Sequence, residues 1–485
     1  MPEIGDPPSL RSVDPVDALL LRGDELAGAR STMLALYVLE DIPDWQRVLA
    51  AFDRATRRVP RLRHRVLPLN VPLTLPYWVV DPHFDLEYHV RRTRLAGDGT
   101  LRDLLDLAQL HGSVPLDRSR PLWEATLVEG LDAPSCAGRA ALILKASHAV
   151  GDGVAGMEMA LALFDAAVEP TMTSVPDAPS PEHVQPTDLA RMRMQQLPAQ
   201  LAERTSDAMR RTSASMNTAM RRSPRDAALS AFDRAAKSAR WTRSFARTIA
   251  PIAGRSPAWR GRGQRRRYSV LDVPLPALRQ AGKSVGGSVN DAYVAAVLGG
   301  IRLYHEKSGT PIEHIAMAVP VSLRRADGPA HGNRFAGARF AGPVGEPDPA
   351  ARIARVHELI EARRAEPALD ALRTFAPVIA RLPNAALHGL RERAMSHDLQ
   401  VSNIPGYPMP VYLAGQQVLR VYPFGPVPGV AAMITLVSHV GVCYVGVNVD
   451  PDAVRDPELF DTCLQQGFAE VLVLAGGPAS TDVRG

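Results

Sequence analysis

The sequence predicts a mixed α/β protein of two domains, and three observations carry that prediction. A chain of 485 residues exceeds the size at which one hydrophobic core stops growing, so two or three domains are expected. Helix-like and strand-like segments alternate along both halves. Between the halves lies "PTMTSVPDAPSPEHVQPTDLA", whose Pro, Ser and Thr content favours an extended, solvent-facing linker. The expected division is 1–170, a linker and Arg-rich helical segment over 171–265, and 266–485.

In chain order, "DWQRVLAAFDRATRRV" spaces its apolar residues for one helix face, and "LRHRVL" after Pro60 alternates as a strand does. "YHVRRTRL" reads as a strand, "TLRDLLDLAQLHGS" as a polar helix, and "WEATLVEGL" and "RAALILKAS" as strands. "LILKASHAVGDGVAGMEMALALF" then places His148 at a strand-to-helix corner, between the buried run Leu142 to Leu144 and an apolar helix from Met157 to Phe164. Gly151 and Gly153 permit a tight turn there. The second half opens at "RYSVLDVPLPALRQAG" and continues through the helix "NDAYVAAVLGGIRLYHEKSG" and the strand "HIAMAVPVSLR" to strands after Ser402.

Composition narrows the function. Hydrophobic residues at 46% and charged residues at 22% are ordinary for a globular protein. A net charge of +5 is a small excess over this length, and only Lys145, Lys237, Lys283 and Lys307 are lysines, a bias of coding rather than a nucleic-acid site. The patch "WRGRGQRRR", Trp259 to Arg267, is expected to be a solvated segment or a contact for an anionic membrane or coenzyme. Cys136, Cys443 and Cys463 form no CxxC pair, which argues against zinc and a disulfide framework. The N-terminus lacks the basic and apolar regions of a signal peptide, so a cytoplasmic location is expected. "VPGVAAMITLVSHVGVCYVGVNVD" alternates like paired strands rather than forming a spanning helix.

"GKSVG", Gly282 to Gly286, fits a nucleophile pattern, but that elbow follows a strand and a helix-like "PALRQA" precedes it here. Ser284 is therefore set aside. His148 offers different chemistry. An imidazole with its ordinary pKa of about 6.5 accepts a proton from a hydroxyl near neutral pH and returns it to a leaving group. No protein nucleophile is needed if the acceptor's own hydroxyl attacks.

"SHAVGDG", Ser147 to Gly153, resembles the HHxxxDG motif of the bacterial wax ester synthase/diacylglycerol acyltransferase family, itself similar to chloramphenicol acetyltransferase and peptide condensation domains. "SVDPVDALLL", "PLDRSRPLWEATLVEGL", "SVNDAYVAAVLGGIRLY", "VPVSLR", "GNRFAG" and "VSNIPGYPMPVYLAGQQV" resemble that family's blocks in its order. The resemblance implies two chloramphenicol-acetyltransferase-like α/β domains around a central tunnel, no cofactor, and acyl-CoA as co-substrate. It implies His148 as general base, with diacylglycerol or a long-chain alcohol as acceptor and triacylglycerol or wax ester as product. Substrates this insoluble imply peripheral attachment to the inner membrane face or lipid bodies, helped by Arg260 to Arg267.

The family's first motif histidine is replaced here by Ser147, which puts acceptor preference or rate in question. Asp152, beside Gly153, is expected to turn away from substrate and pair with Arg63 in an early strand, as a Leu-Arg does in the similar condensation domains. Asn290 is expected to cap its helix or to face the tunnel, Trp123 to pack or line it, and Asn403 to sit in an "NIPG" turn beside it. Two alternatives stay open: a member that binds acyl lipid without turnover, and a condensation-like acyltransferase acting on another acceptor.

Overall fold

A computed structural model describes residues 11–23, 32–68, 74–150, 159–169, 174–185, 187–189, 191, 206, 237–247, 250, 252–322, 335–368, 371–382, 386–387, 389, 397–427 and 429–476. In chain order the strands are β1 (Arg11–Ser12), β2 (Thr32–Leu39), β3 (His64–Leu67), β4 (Tyr77–Val80), β5 (Val90–Arg94), β6 (Trp123–Glu129), β7 (Ala140–Ser147) and β8 (Arg267–Pro274). They continue with β9 (His314–Ser322), β10 (Phe335–Pro343), β11 (Leu399–Tyr407), β12 (Tyr412–Leu413), β13 (Gln416–Phe424), β14 (Ala432–His439) and β15 (Val442–Val449).

Two six-stranded mixed sheets dominate, ordered β12-β13-β2-β7-β6-β5 and β10-β9-β11-β14-β15-β8, with a small sheet β1-β4-β3 beside the first. The pairs β5–β6, β11–β14 and β11–β9 are parallel. The expected fold class therefore holds, and the expected hairpin after Val430 is β14–β15. Among the described residues no helix is long and apolar enough to cross a membrane.

Local chemistry explains the helices. Asp44 caps Trp45–Arg58 by accepting from the Arg47 N–H at 2.9 Å, and Val48, Ala51, Phe52 and Ala55 form its buried stripe. Ser288 and Asp291 form a reciprocal capping box at the start of Val289–Lys307. Asn290 therefore does not cap that helix; it lies half-buried inside the first turn. In the segment after the His148 turn, Met159, Ala160, Leu163 and Phe164 are buried while Leu161 is turned outward, so the run expected to be buried has one wet side.

Sheet membership does not follow chain order. β12 and β13 come from the second half, yet β13 pairs with β2 from Val418↔Leu39 to Phe424↔Leu34 and completes the first sheet. The chain then returns as β14 to the second sheet. β13 passes so close to β15 that a Cβ on Gly446 would collide with the Pro423 carbonyl. Tyr268, Val270, Val437 and Tyr444 of the second half share a core with the first-sheet strands, so the two lobes are interlocked.

The basic segment is not a free cationic face. Arg262 pairs with Asp398, Arg265 with Asp452 at 2.5 Å, and Arg267 with Glu458 at 2.7 Å. Carboxylates of the second lobe thus stand against two of the three arginines Arg265, Arg266 and Arg267.

Near this seam Asp461 accepts from the Ser269 hydroxyl at 2.5 Å. Burial pushes its carboxyl up to about 6, against the bond from Ser269 and the charge of Arg267. The folded protein thus holds a proton there that the unfolded chain releases near pH 4, so this group's contribution to stability falls as pH rises from about 4 to 6. Asp461→Asn is expected to raise stability at pH 7 by about 2 kcal/mol and to leave it unchanged at pH 4. Denaturant melts at the two pH values check this.

Candidate active site

The site is built on the end of β7. That strand lies between β2 and β6, antiparallel to both, and its residues Ala140 to Ile143 are almost fully buried. At its end the Ser147 N–H donates to the Leu122 carbonyl at 3.0 Å, and the Val150 N–H closes a turn onto the Ser147 carbonyl at 3.0 Å. His148 rides on this turn, half-buried. Ala149 is buried in a cluster with Val13, Ala18, Leu21, Trp78, Leu122 and Ala380, against which Val150 also packs. On the other side Thr32 of β2 stands in register with Ser147.

Ser147 takes a local role in this geometry. Its hydroxyl accepts from the Ala149 N–H at 3.3 Å, and the residue is 2% exposed. A serine bridging back to the backbone two residues on holds the turn in shape. Ser147→Ala is therefore expected to cost about 1 kcal/mol of stability and to change turnover less than about threefold; a loss as large as that of His148→Ala would give Ser147 a chemical role.

Asp152 and Gly153 lie outside the described residues. Arg63, the arginine expected opposite Asp152, donates from Nη2 to Asp53 at 2.7 Å and from Nε to the Thr56 hydroxyl at 3.0 Å, with its guanidinium 4.6 Å from the Phe84 ring centre. Arg63 also ends a 3₁₀ turn, Pro60–Arg63, rather than lying in a strand. The reason is local, since helix Trp45–Arg58 presents Asp53 and Thr56 to the turn that follows it.

Trp123 is 1% exposed and stacks between Phe52 and His89, with ring centres at 5.9 and 4.6 Å. Its indole N–H donates to the Leu62 carbonyl at 2.7 Å. It belongs to the first core and ties the Arg63 turn to the sheet, not to a tunnel wall. Asn403 is exposed on β11, whose pairing with β14 breaks between Ile404 and Tyr407. Gly406 is required at that break, since a Cβ would collide with the Ser438 carbonyl. Tyr407, beyond it, shares a hydroxyl hydrogen bond with Tyr37, and burial pushes the Tyr37 phenol up to about 12. This bond holds the "NIPG" segment against the first sheet.

Other nucleophile candidates fail on geometry. Ser284 closes a helix and donates to the Ala281 carbonyl at 2.8 Å. Ser256 and His305 are 2.8 Å apart, but they are 4% and 0% exposed, and the nearby Asp398 binds the Ser256 backbone rather than the imidazole. No cluster able to hold a metal occurs among the described residues. What the sequence missed is a narrow cleft between the lobes, with Thr32, Ser113, Arg266, Tyr268, Val427 and Asn448 among its walls. Its members, Thr32 and Asn448 among them, are separated by more than four hundred positions, so no local pattern could have joined them.

Comparison with known proteins bears on the family and the fold. A model of the wax ester synthase/diacylglycerol acyltransferase catalytic domain matches residues 14–293, and one of the WS/DGAT C-terminal domain matches residues 331–471. A Mycobacterium tuberculosis protein named as a diacylglycerol O-acyltransferase is 44% identical over 99% of this chain and 95% of its own length. Another of that organism, similarly named, is 28% identical over 92% of this chain and 94% of its own. Among solved structures, the wax ester synthase/diacylglycerol acyltransferase from Marinobacter aquaeolei shares the fold at TM-score 0.60 and 21% identity, covering 96% of this chain and all of that one. The first condensation domain of the CDA synthetase does so at TM-score 0.56 and 16% identity, covering 98% of each chain.

Proposed function

The chain belongs to the wax ester synthase/diacylglycerol acyltransferase family, and on that premise we propose that it transfers a fatty acyl group from acyl-CoA to the hydroxyl of diacylglycerol or a long-chain alcohol, with His148 as general base. The observation that carries the assignment of the base is the place of His148, on a turn locked by backbone bonds at the end of a buried central strand. In the reaction the imidazole takes the acceptor's proton as that oxygen attacks the thioester carbon. The tetrahedral intermediate collapses by breaking the C–S bond, and the imidazolium returns its proton to the departing CoA sulfur. Mass and charge balance without a cofactor.

The deciding assay supplies palmitoyl-CoA with dioleoylglycerol or hexadecanol and follows free CoA. Ester formation with either acceptor supports transfer. Acyl-CoA binding without CoA release would support the acyl-lipid-binding alternative, and turnover only with an amine acceptor would support a condensation-like one.

Attachment to a lipid surface has a further support beside the basic segment. A helix over 237–247 exposes Lys237, Arg240 and Arg243, while its Arg247 pairs with Glu366 at 2.8 Å. Its Trp241 and Phe245 stack at 5.3 Å and meet Phe375 of helix Ala371–Ile379. Just past that second helix, Ala380 belongs to the apolar cluster that contains Ala149, next to His148. Cations around a small aromatic group suit an anionic bilayer. At about 1 kcal/mol per surface cation, Arg240→Gln with Arg243→Gln is expected to weaken binding to phosphatidylserine-containing vesicles roughly 30-fold. Unchanged co-sedimentation would remove this helix from the contact.

A further inference from the structure

The helix over 237–247 is held to the second lobe by few contacts. Of its residues only Ser244 is fully buried; Trp241 and Phe245 are half-buried and the rest are exposed. Ser244 and Arg247, one turn apart, close on the stretch that follows helix Pro349–Arg364. The Ser244 hydroxyl accepts from the Ala368 N–H at 3.0 Å and donates to the Glu366 carboxylate. Arg247 grips the same carboxylate with both arms of its fork, Nε at 2.9 Å and Nη2 at 2.8 Å. The second attachment is aromatic, with Phe245 and Trp241 ring centres 5.3 and 5.8 Å from Phe375. A helix this short is marginal by itself in water, and so few buried contacts place it at the low end of local stability.

The ion pair separates at little cost. Glu366 is 12% exposed but also lies 3.6 Å from Arg363, so the departure of Arg247 does not strand a buried charge. Arg247 itself is 53% exposed and open to a competing phosphate. The partner helix, Ala371–Ile379, is weakened by Pro377, which has no N–H to give to the helix. It turns Val378, one turn from Phe375, 63% to solvent. Ala380, just past it, is 3% exposed in the cluster that contains Ala149, and its carbonyl accepts from Arg22 at 2.8 Å. A displacement of Phe375 therefore reaches, through Ala380, the packing of the residue next to His148.

We infer that an anionic bilayer opens this latch and so switches on acyl transfer at the lipid surface. Headgroup phosphates take Arg247 from Glu366, Trp241 and Phe245 leave Phe375 for the lipid, and helix Ala371–Ile379 is freed from the cluster beside His148. The inference rests on attachment to a lipid surface through this helix and adds a regulation to it.

The test uses water-soluble substrates, octanoyl-CoA and dioctanoylglycerol, without vesicles, with phosphatidylcholine vesicles, and with vesicles that also contain phosphatidylserine. CoA release by the wild type is expected to rise about fivefold with phosphatidylserine vesicles only, the equivalent of one partly exposed ion pair. Glu366→Gln is expected to show the raised rate without vesicles and to gain little more from them. A wild-type rate that ignores the vesicles, or a Glu366→Gln rate equal to that of the wild type without vesicles, overturns the inference. Should Glu366→Gln fail to fold, Ser244→Cys with Ala368→Cys decides. The oxidised pair is expected to lose the response and dithiothreitol to restore it, whereas a response kept in the oxidised protein removes the latch. Cys136, Cys443 and Cys463 are buried, which confines oxidation to the new pair. Co-sedimentation separates the two readings: binding without stimulation leaves the attachment and removes the latch, and no binding removes both. In a protein that releases no CoA, faster hydrogen exchange of the Ala368 amide on phosphatidylserine vesicles would retain the latch and reject the transfer, and unchanged exchange would reject the latch as well.

Discussion

Replacing His148 with alanine is expected to lower CoA release from palmitoyl-CoA by about 10²–10⁴-fold, the usual contribution of a positioned general base. The fold is expected to survive, because the turn is closed by the Ser147 and Val150 backbone and by the Ser147 hydroxyl, none of which involves the imidazole. Unchanged thermal unfolding must accompany the kinetic loss. If the variant keeps more than half of wild-type turnover, His148 is not the base. The same assay with Ser147→Ala separates chemistry from turn geometry, since that substitution removes a capping bond and leaves the imidazole.

The largest expected effect on stability lies away from the chemistry, at Asp398. This carboxylate is fully buried. It pairs with Arg262, lies 3.4 Å from Arg255, and accepts from the Ser256 N–H at 2.6 Å. Next to it, burial and the charge of Arg339 hold the His397 imidazole down to about 4, so His397 stays neutral and adds no cation to the group. Asp398→Ala leaves Arg262 and the Ser256 amide uncompensated, at about 3–5 kcal/mol. In a lobe of this size that lowers the midpoint of thermal unfolding by roughly 10 °C. A shift under about 2 °C would mean that water replaces the carboxylate.

Much of the local structure was legible in the residues. Asp44 and Ser288 stand where helix starts require a side-chain acceptor, and Val48, Ala51, Phe52 and Ala55 repeat at helical spacing. β7 could be read because a central strand buried on both faces is a continuous apolar run. Asn290 misled because the capping acceptor is two residues earlier. The partners of the arginine patch were not legible, because a run of like charges says nothing about which carboxylates fold back onto it. That Arg63 ends a 3₁₀ turn rather than lying in a strand was not legible, because Asp53 and Thr56 of the preceding helix hold it there.

The order of residues was thus enough to determine the fold class, the strand that ends in Ser147, the turn that carries His148 and the likeness to an acyltransferase family. These depend on periodicity, turn chemistry and short motifs, all local along the chain. Tertiary structure alone decided that β13 leaves its own lobe to pair with β2, that Asp398, Asp452 and Glu458 gather the arginines, and that Asn448 faces Thr32 across a cleft. Each of these joins groups a hundred or more residues apart. Hydrogen-bonding edges and buried charges carry no label for a distant partner, so the pairing is fixed only when the two lobes close on a shared core.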